Sequence, residues 1–243
     1  MKKIILTLLT FWIAHSEASL KERLSQATPG DYIVTAQEGH YSVLLIRTNS
    51  QKLLSLEEIS VPAGHIQLKQ WNWKKWVEEK APGHTSWVLY EIDPASAKLI
   101  SCFSYSKNGW IYLDESEQFL TQLMRLPLEK IPEADRKKIG PQPPPGGEDR
   151  RAVWNPPLVI EGKKASKPTF EAMRTKWPED GSKLSLCTIE LYFSKENPTF
   201  PYWMQIQSPH YAFKVRTIDS GHQLISPQHP AGKPCSHFQK SVD

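Results

Sequence analysis

Hydrophobic and polar positions alternate along much of this chain with the period of a β-strand. DYIVTAQ (31–37), YSVLLIRT (41–48) and KLLSLEEIS (52–60) are rich in β-branched, Leu and Tyr residues and are bounded by turn residues, which predicts three consecutive strands. Asn49-Ser50 reads as the tight loop between two of them, because Asn tolerates the left-handed backbone such turns require. WVLYEID (87–93) and KLISCFSYS (98–106) flank the reversal at Asp93-Pro94-Ala95-Ser96, and Asn108-Gly109 before WIYL (110–113) is the strongest hairpin signal in the chain. Further strands are expected at LSLCTIELYF (184–193), YWMQIQ (202–207) and YAFKVRTI (211–218). In the last, Tyr211, Phe213 and Val215 alternate with Ala212, Lys214 and Arg216. Asp219-Ser220-Gly221 then reads as a turn into HQLIS (222–226).

Three stretches carry helical spacing instead. SLKERLSQA (19–27) is amphipathic and is closed by Pro29-Gly30. QWNWKKWVEEK (70–80) places Trp73, Trp76 and Val77 on one face and leaves Trp71 off that stripe. ESEQFLTQLMRL (115–126) carries Phe119, Leu120, Leu123, Met124 and Leu126, a broad apolar face suited to a sheet. Strands and helices do not alternate in the βαβ manner, so a parallel nucleotide-binding sheet is disfavoured. The expected fold is α+β: a large, mostly antiparallel, curved sheet of about 9–10 strands with a few packed helices.

Composition changes this picture in two places. Nine of the twenty prolines lie between Pro127 and Pro168, around RKKIGPQPPPGGEDRRAVWNPP (136–157). Ile139, Val153, Trp154, Leu158 and Val159 are apolar anchors on both sides of these prolines. Proline lowers the entropy lost on ordering, so the run is expected to be an ordered strap rather than a linker between two bodies. At the start, Lys2 and Lys3, the apolar run Ile4–Ala14 and Ser16-Glu17-Ala18 have the layout of a secretory leader, too short to span a bilayer comfortably. The expected division is a signal peptide at 1–18 with cleavage near Ala18, a single β-rich domain at 19–226, and a loose polar tail at 227–243. The expected location is therefore the periplasm or outside the cell, with no transmembrane span after cleavage.

Charge and chemistry narrow the function classes. Net charge is +4, or +3 without the leader, and basic residues are interleaved with acidic ones, so nucleic acid is not an expected partner. Cys102, Cys187 and Cys235 are an odd set; all three reduced is the favoured reading, with a Cys102–Cys187 bridge as the alternative. Ile218-Asp219-Ser220-Gly221 has the letters of an aspartic-protease motif, but in one copy, and a turn accounts for them equally. His84 and Ser86 are the other weak catalytic candidates, with no nucleophile elbow or metalloprotease helix beside them. His229, Cys235 and His237 match no strong zinc spacing, so no metal and no cofactor is expected.

With these segments in view, LSLEEISVPAG, APGHTSWVLYEID, the RKKIGP–GGEDRR–WNPP run and FPYWMQI–RTIDSG resemble the recurring blocks of an uncharacterised exported-protein family of chlamydiae, across most of the mature chain. The resemblance implies export and carries no activity to transfer. In layout the chain is also similar to periplasmic lipoprotein carriers, a likeness of architecture that does not fix function. The expected function is a non-catalytic envelope binding or carrier protein for a lipid, another apolar ligand or an envelope protein partner. Val43, Leu45, Trp87 and Leu89 are the candidate ligand-facing residues, and Trp71, Trp73 and Trp76 the candidate partner-facing ones, against the favoured reading of their helix as a short plug on the sheet. The alternatives are an envelope hydrolase using Asp219, His84 and Ser86, and an assembly protein using the Trp71–Trp76 helix.

Overall fold

A computed structural model describes residues 18–66, 72–114, 118–208 and 212–229. Trp71, Tyr211, Cys235 and His237 lie outside the described residues. The chain forms an α+β fold dominated by one open antiparallel sheet of twelve strands. In chain order the elements are β1 (Ala18–Ser19), α1 (Leu20–Ser25), β2 (Tyr32–Gln37), β3 (His40–Asn49), β4 (Leu54–Pro62), α2 (Trp73–Glu78), β5 (Ser86–Asp93), β6 (Lys98–Ser104) and β7 (Gly109–Trp110). They continue with α3 (Phe119–Arg125), β8 (Pro127–Lys130), β9 (Val159–Ile160), β10 (Lys163–Lys164), β11 (Phe170–Lys176), β12 (Thr188–Ser194), β13 (Pro201–Gln207) and β14 (Ala212–Gly221). The sheet order is β1-β8-β11-β12-β13-β14-β2-β3-β4-β5-β6-β7, and β9 pairs with β10 in a separate hairpin.

The order follows from two meanders. β2 to β7 are laid down as successive neighbours, as are β11 to β14, and β14 joins β2 to close the two runs into one surface. Asn108 sits in the left-handed region at φ 49°, as its hairpin requires. Asn49 has a different role from the expected one. It ends β3, and its side-chain amide donates to the carbonyls of Leu24, Ser25 and Ala27 at 3.1, 3.1 and 2.7 Å. Those carbonyls are at the end of α1, where a helix leaves its acceptors unpaired. The other end of α1 is closed by a capping box: Ser19 Oγ accepts from Glu22 N, and Glu22 Oε2 accepts from Ser19 N.

Three parts of the sheet depart from the expected pattern. β8 opens on a proline and is covered on only one side along most of its length, a position where a missing N–H is tolerated. β11, FEAMRTK, has only Phe170 and Thr175 as strand-favouring residues, and its pairing with β12 over seven positions overrides the rest of that composition. Asp219-Ser220-Gly221 is not a turn. A bulge between Thr217 and Asp219 lets β14 run on, pairing Asp219 with Val34, Ser220 with Ile33 and Gly221 with Tyr32. HQLIS then leaves the sheet rather than forming a strand. Gly221 is required because the Tyr32 ring crosses it: a Cβ there would lie 2.7 Å from the Tyr32 hydroxyl and 2.9 Å from Glu161 Cγ.

Apolar packing divides into three clusters. One fills the space between α1, α3 and one face of the sheet, around Leu24, Ile33, Ile46, Leu56, Leu123, Leu191 and Phe193. A second joins α2 to the opposite face of β2–β5. The third lies beneath the Pro-rich run, where Trp154 packs edge-on against Tyr192 and Trp203 at ring distances of 5.4 and 5.1 Å. That run folds back on itself: Lys138 bridges Val153, and Trp154 N donates to Lys137 O at 2.7 Å.

Candidate ligand-binding cleft

Alternation along β2–β5 sends successive side chains to opposite faces, and the two faces have different fates. On one, Val43, Leu45, Ile59, Val61 and Trp87 are sealed beneath Trp73, Trp76 and Val77 of α2. Tyr41 meets Trp73 edge-on at 5.5 Å, and Trp73 meets Trp76 at 5.7 Å. Leu89 is buried on the same face, one strand pair along from Trp87. On the other face, α1 and α3 pack against each other and leave part of the sheet uncovered, in a cleft of about 470 Å³. Its floor is Ile33, Thr35, Gln37, Ser42, Leu44, Leu56, Glu58, Tyr90 and Ile92; Leu24, Phe119 and Leu123 come from the helices, Met204 and Phe213 from β13 and β14, and Phe200 from just before β13.

Within this apolar surround sits one carboxyl group. The Tyr90 hydroxyl donates to Glu58 Oε2 at 3.1 Å, and the Ser42 hydroxyl, 2.9 Å from that of Ser60, lies close enough to the carboxyl to help lower its pKa. Burial pushes the Glu58 pKa above the ordinary carboxylate range, and those two hydroxyls only partly offset the shift. Burial, with the nearby Glu58 carboxyl second, also raises the Tyr90 phenol and pushes the Cys102 thiol up to about 11. Cys102 and Cys187 are buried free thiols, so the bridge between them is not formed.

The structure does not place the expected ligand-facing residues in the cleft. Val43, Leu45, Trp87 and Leu89 are 3% exposed or less and belong to the sealed face, while the open face is lined by the residues between them. The reason is the strict period of two: on strands covered on both sides, hydrophobicity marks both faces and does not say which one α2 occupies. Trp73 and Trp76 are 4% and 1% exposed, with Trp76 Nε1 donating to Pro82 O at 3.1 Å, so neither offers a surface to a partner.

No hydrogen bond among the described residues joins the three catalytic candidates. His84 Nδ1 lies 2.8 Å from Ala81 O and its ring stands on Trp87, while Ser86 pairs with Ser60 at the start of β5. Asp219 Oδ1 accepts from Gly162 N at 3.1 Å and Ser220 N at 2.9 Å, tying the β9–β10 hairpin to β14. Burial raises the Asp219 pKa against the lowering effect of those two bonds. It borders a polar recess of about 400 Å³ with Tyr32, Asn72, Lys74, Glu161 and Lys163. No group of three or more His, Cys, Asp or Glu residues is clustered among the described residues. The His229 carbonyl accepts from the Tyr105 hydroxyl at 3.1 Å, and Gln228 O accepts from Arg47 at 2.6 Å, so the tail is held to the body at least that far.

Glu58 was missed by pattern reading, though one signal for it exists. Glu57-Glu58 within a strand puts one carboxylate on each face, and both faces of β4 are covered. Glu57, fully buried on the sealed face, meets Arg47 and accepts from Trp87 Nε1 at 2.9 Å. Glu58, on the cleft side, meets hydroxyls and no cation among the residues that line the cleft.

The family model described as CT021 protein matches residues 42–166, just over half of the chain. That span includes most of β3 and all of β4 and β5, which form much of the cleft floor. No curated protein matches the chain. A solved structure of the hypothetical protein CT021 from Chlamydia trachomatis is similar to it, with 25% sequence identity, a TM-score of 0.63, and coverage of 88% of this chain and 98% of that one.

Proposed function

Because the chain belongs to the CT021 protein family, whose description carries no activity, we propose from the cleft alone that it is a binding protein for a ligand with an apolar chain. The observation that carries this reading is the asymmetry of the sheet. The apolar residues of one face of β2–β5 are covered by α2, while its other face borders a 470 Å³ cavity with an aliphatic and aromatic lining. That volume lies in the range of small-molecule sites, roughly 300–1,000 Å³. Leaving such a space empty costs contacts, and filling it with an alkyl chain recovers about 0.8 kcal/mol per methylene before the cost of association. The leader-like residues 1–18 support a further part of the proposal, that the protein is exported and meets its ligand in the cell envelope.

Two experiments test it. Protein purified from its native envelope is extracted with solvent, and the extract is compared by mass spectrometry with that of a control exported protein. A co-purifying amphiphile is expected; lipid recovery no higher than the control counts against the reading. In parallel, Met204→Trp fills the cavity and is expected to weaken binding of the neutral probe N-phenyl-1-naphthylamine at least tenfold. Unchanged probe affinity would mean that the probe sits elsewhere and the cleft is not the site.

A further inference from the structure

Among the described residues, those lining the cleft include no Lys, Arg or His, and Glu58 is the carboxylic acid among them. Hydroxyl groups line the cleft with that acid: Tyr90 OH donates to it at 3.1 Å, and Ser42 and Thr35 line the same floor. We propose that the cleft selects amphiphiles with an uncharged, hydrogen-bonding head, such as a fatty alcohol or ester, and rejects the fatty-acid anion, with Glu58 anchoring the head. This rests on the apolar-ligand reading above and narrows its substrate class.

The argument is one of charge complementarity. A carboxylate or phosphate entering the cleft loses its water and finds no cation in exchange, and burying an unpaired charge is far costlier than burying a hydrogen-bonded neutral group. Burial also holds Glu58 toward its protonated form, which presents an O–H donor as well as acceptor oxygens. A ligand hydroxyl or ester carbonyl satisfies those groups without bringing in charge. An ammonium head would have to be stripped of water together with the Glu58 carboxylate, in an apolar surround that disfavours both charges.

The test is calorimetry at pH 8 with dodecanol, dodecanoate and dodecylamine, alongside N-phenyl-1-naphthylamine as a neutral control for an open, folded cleft. Dodecanol is expected to bind at least tenfold tighter than either charged homologue. Glu58→Gln, which keeps a neutral hydrogen-bonding group, should hold dodecanol affinity within about threefold. Glu58→Leu should weaken dodecanol about fivefold to tenfold, the worth of one buried hydrogen bond, and leave the control probe unchanged. Dodecanoate binding as tightly as dodecanol overturns the proposal. So does dodecylamine binding tightest with the preference lost in Glu58→Gln, which would make the cleft a cation site. Dodecanol affinity indifferent to Glu58→Leu overturns it as well. If neither the control probe nor any of the three chains binds, the cleft reading itself fails.

Discussion

Adjacent carboxylates at Glu57 and Glu58 show how much a single position decides. Arg47 compensates Glu57 on the sealed face, also donating to Tyr105 and to Gln228 O. Arg47→Met would strand Glu57 without its counter-charge, which typically costs about 3–5 kcal/mol; a thermal melt of the variant checks it. Glu58 has the opposite problem, since its folded pKa is raised. A raised acid pKa contributes stability that is fully present below the unfolded value and is lost as pH rises through the folded one. Glu58→Gln removes that loss, so its melting temperature relative to the parent should improve between pH 4 and pH 8, and a flat difference would contradict the assignment. Gly221→Ala should cost about 1–3 kcal/mol by driving a methyl into Tyr32, measurable by denaturant unfolding. The sequence announced none of these three: Glu-Glu in a strand looks solvent-facing, and a glycine after Asp-Ser looks like a turn until Tyr32 is seen to cross it.

Elements were legible where local pattern and tertiary position agree. The β2–β6 meander and the three helices follow from alternation and helical spacing, because hairpin neighbours supply each other's pairing within a few residues. β11 was hidden because its partner β12 begins twelve residues after it ends, and Glu, Ala, Met, Arg and Lys outweigh the two strand-favouring residues of FEAMRTK. The Pro-rich run is held by both backbone and side chains. Besides the Lys138–Val153 bridge, Asp149 is paired with Arg151 and Lys138 at 2.8 and 3.1 Å, and the Arg151 hydrogen bond in particular holds its carboxyl far below the usual range. Trp154 is half-buried, with Lys137 over its ring at 5.0 Å. Trp154→Ala should cost about 2–3 kcal/mol, the lower side of what truncating a packed aromatic costs. The same substitution should speed tryptic cleavage at Arg150-Arg151, and proteolysis at the parental rate would show that the ring does not hold the run.

For the whole molecule, the curved antiparallel sheet was readable from strand density and turn spacing, while the open cleft was not. Which face α2 covers depends on contacts between residues far apart in sequence, and an apolar residue on a doubly covered strand looks the same on either side. The edges of the sheet have a separate consequence for self-association. β1 and β7, at its two ends, are each two residues long. β7 pairs with Phe103 and Ser104, with Ile111 N adding one bond to Cys102 O, so among the described residues pairing on the outer side of β6 stops short of Lys98–Ser101. That short ledge, with Ile100 57% exposed beside Lys98, is where a neighbouring chain would dock to lengthen the sheet. Lys98 then acts as a gatekeeper against stacking of one molecule on the next. Lys98→Val should lower the temperature at which light scattering rises on heating, and Ile100→Lys should raise it, both without moving the folding midpoint by more than about 0.5 kcal/mol, the usual effect of a surface change.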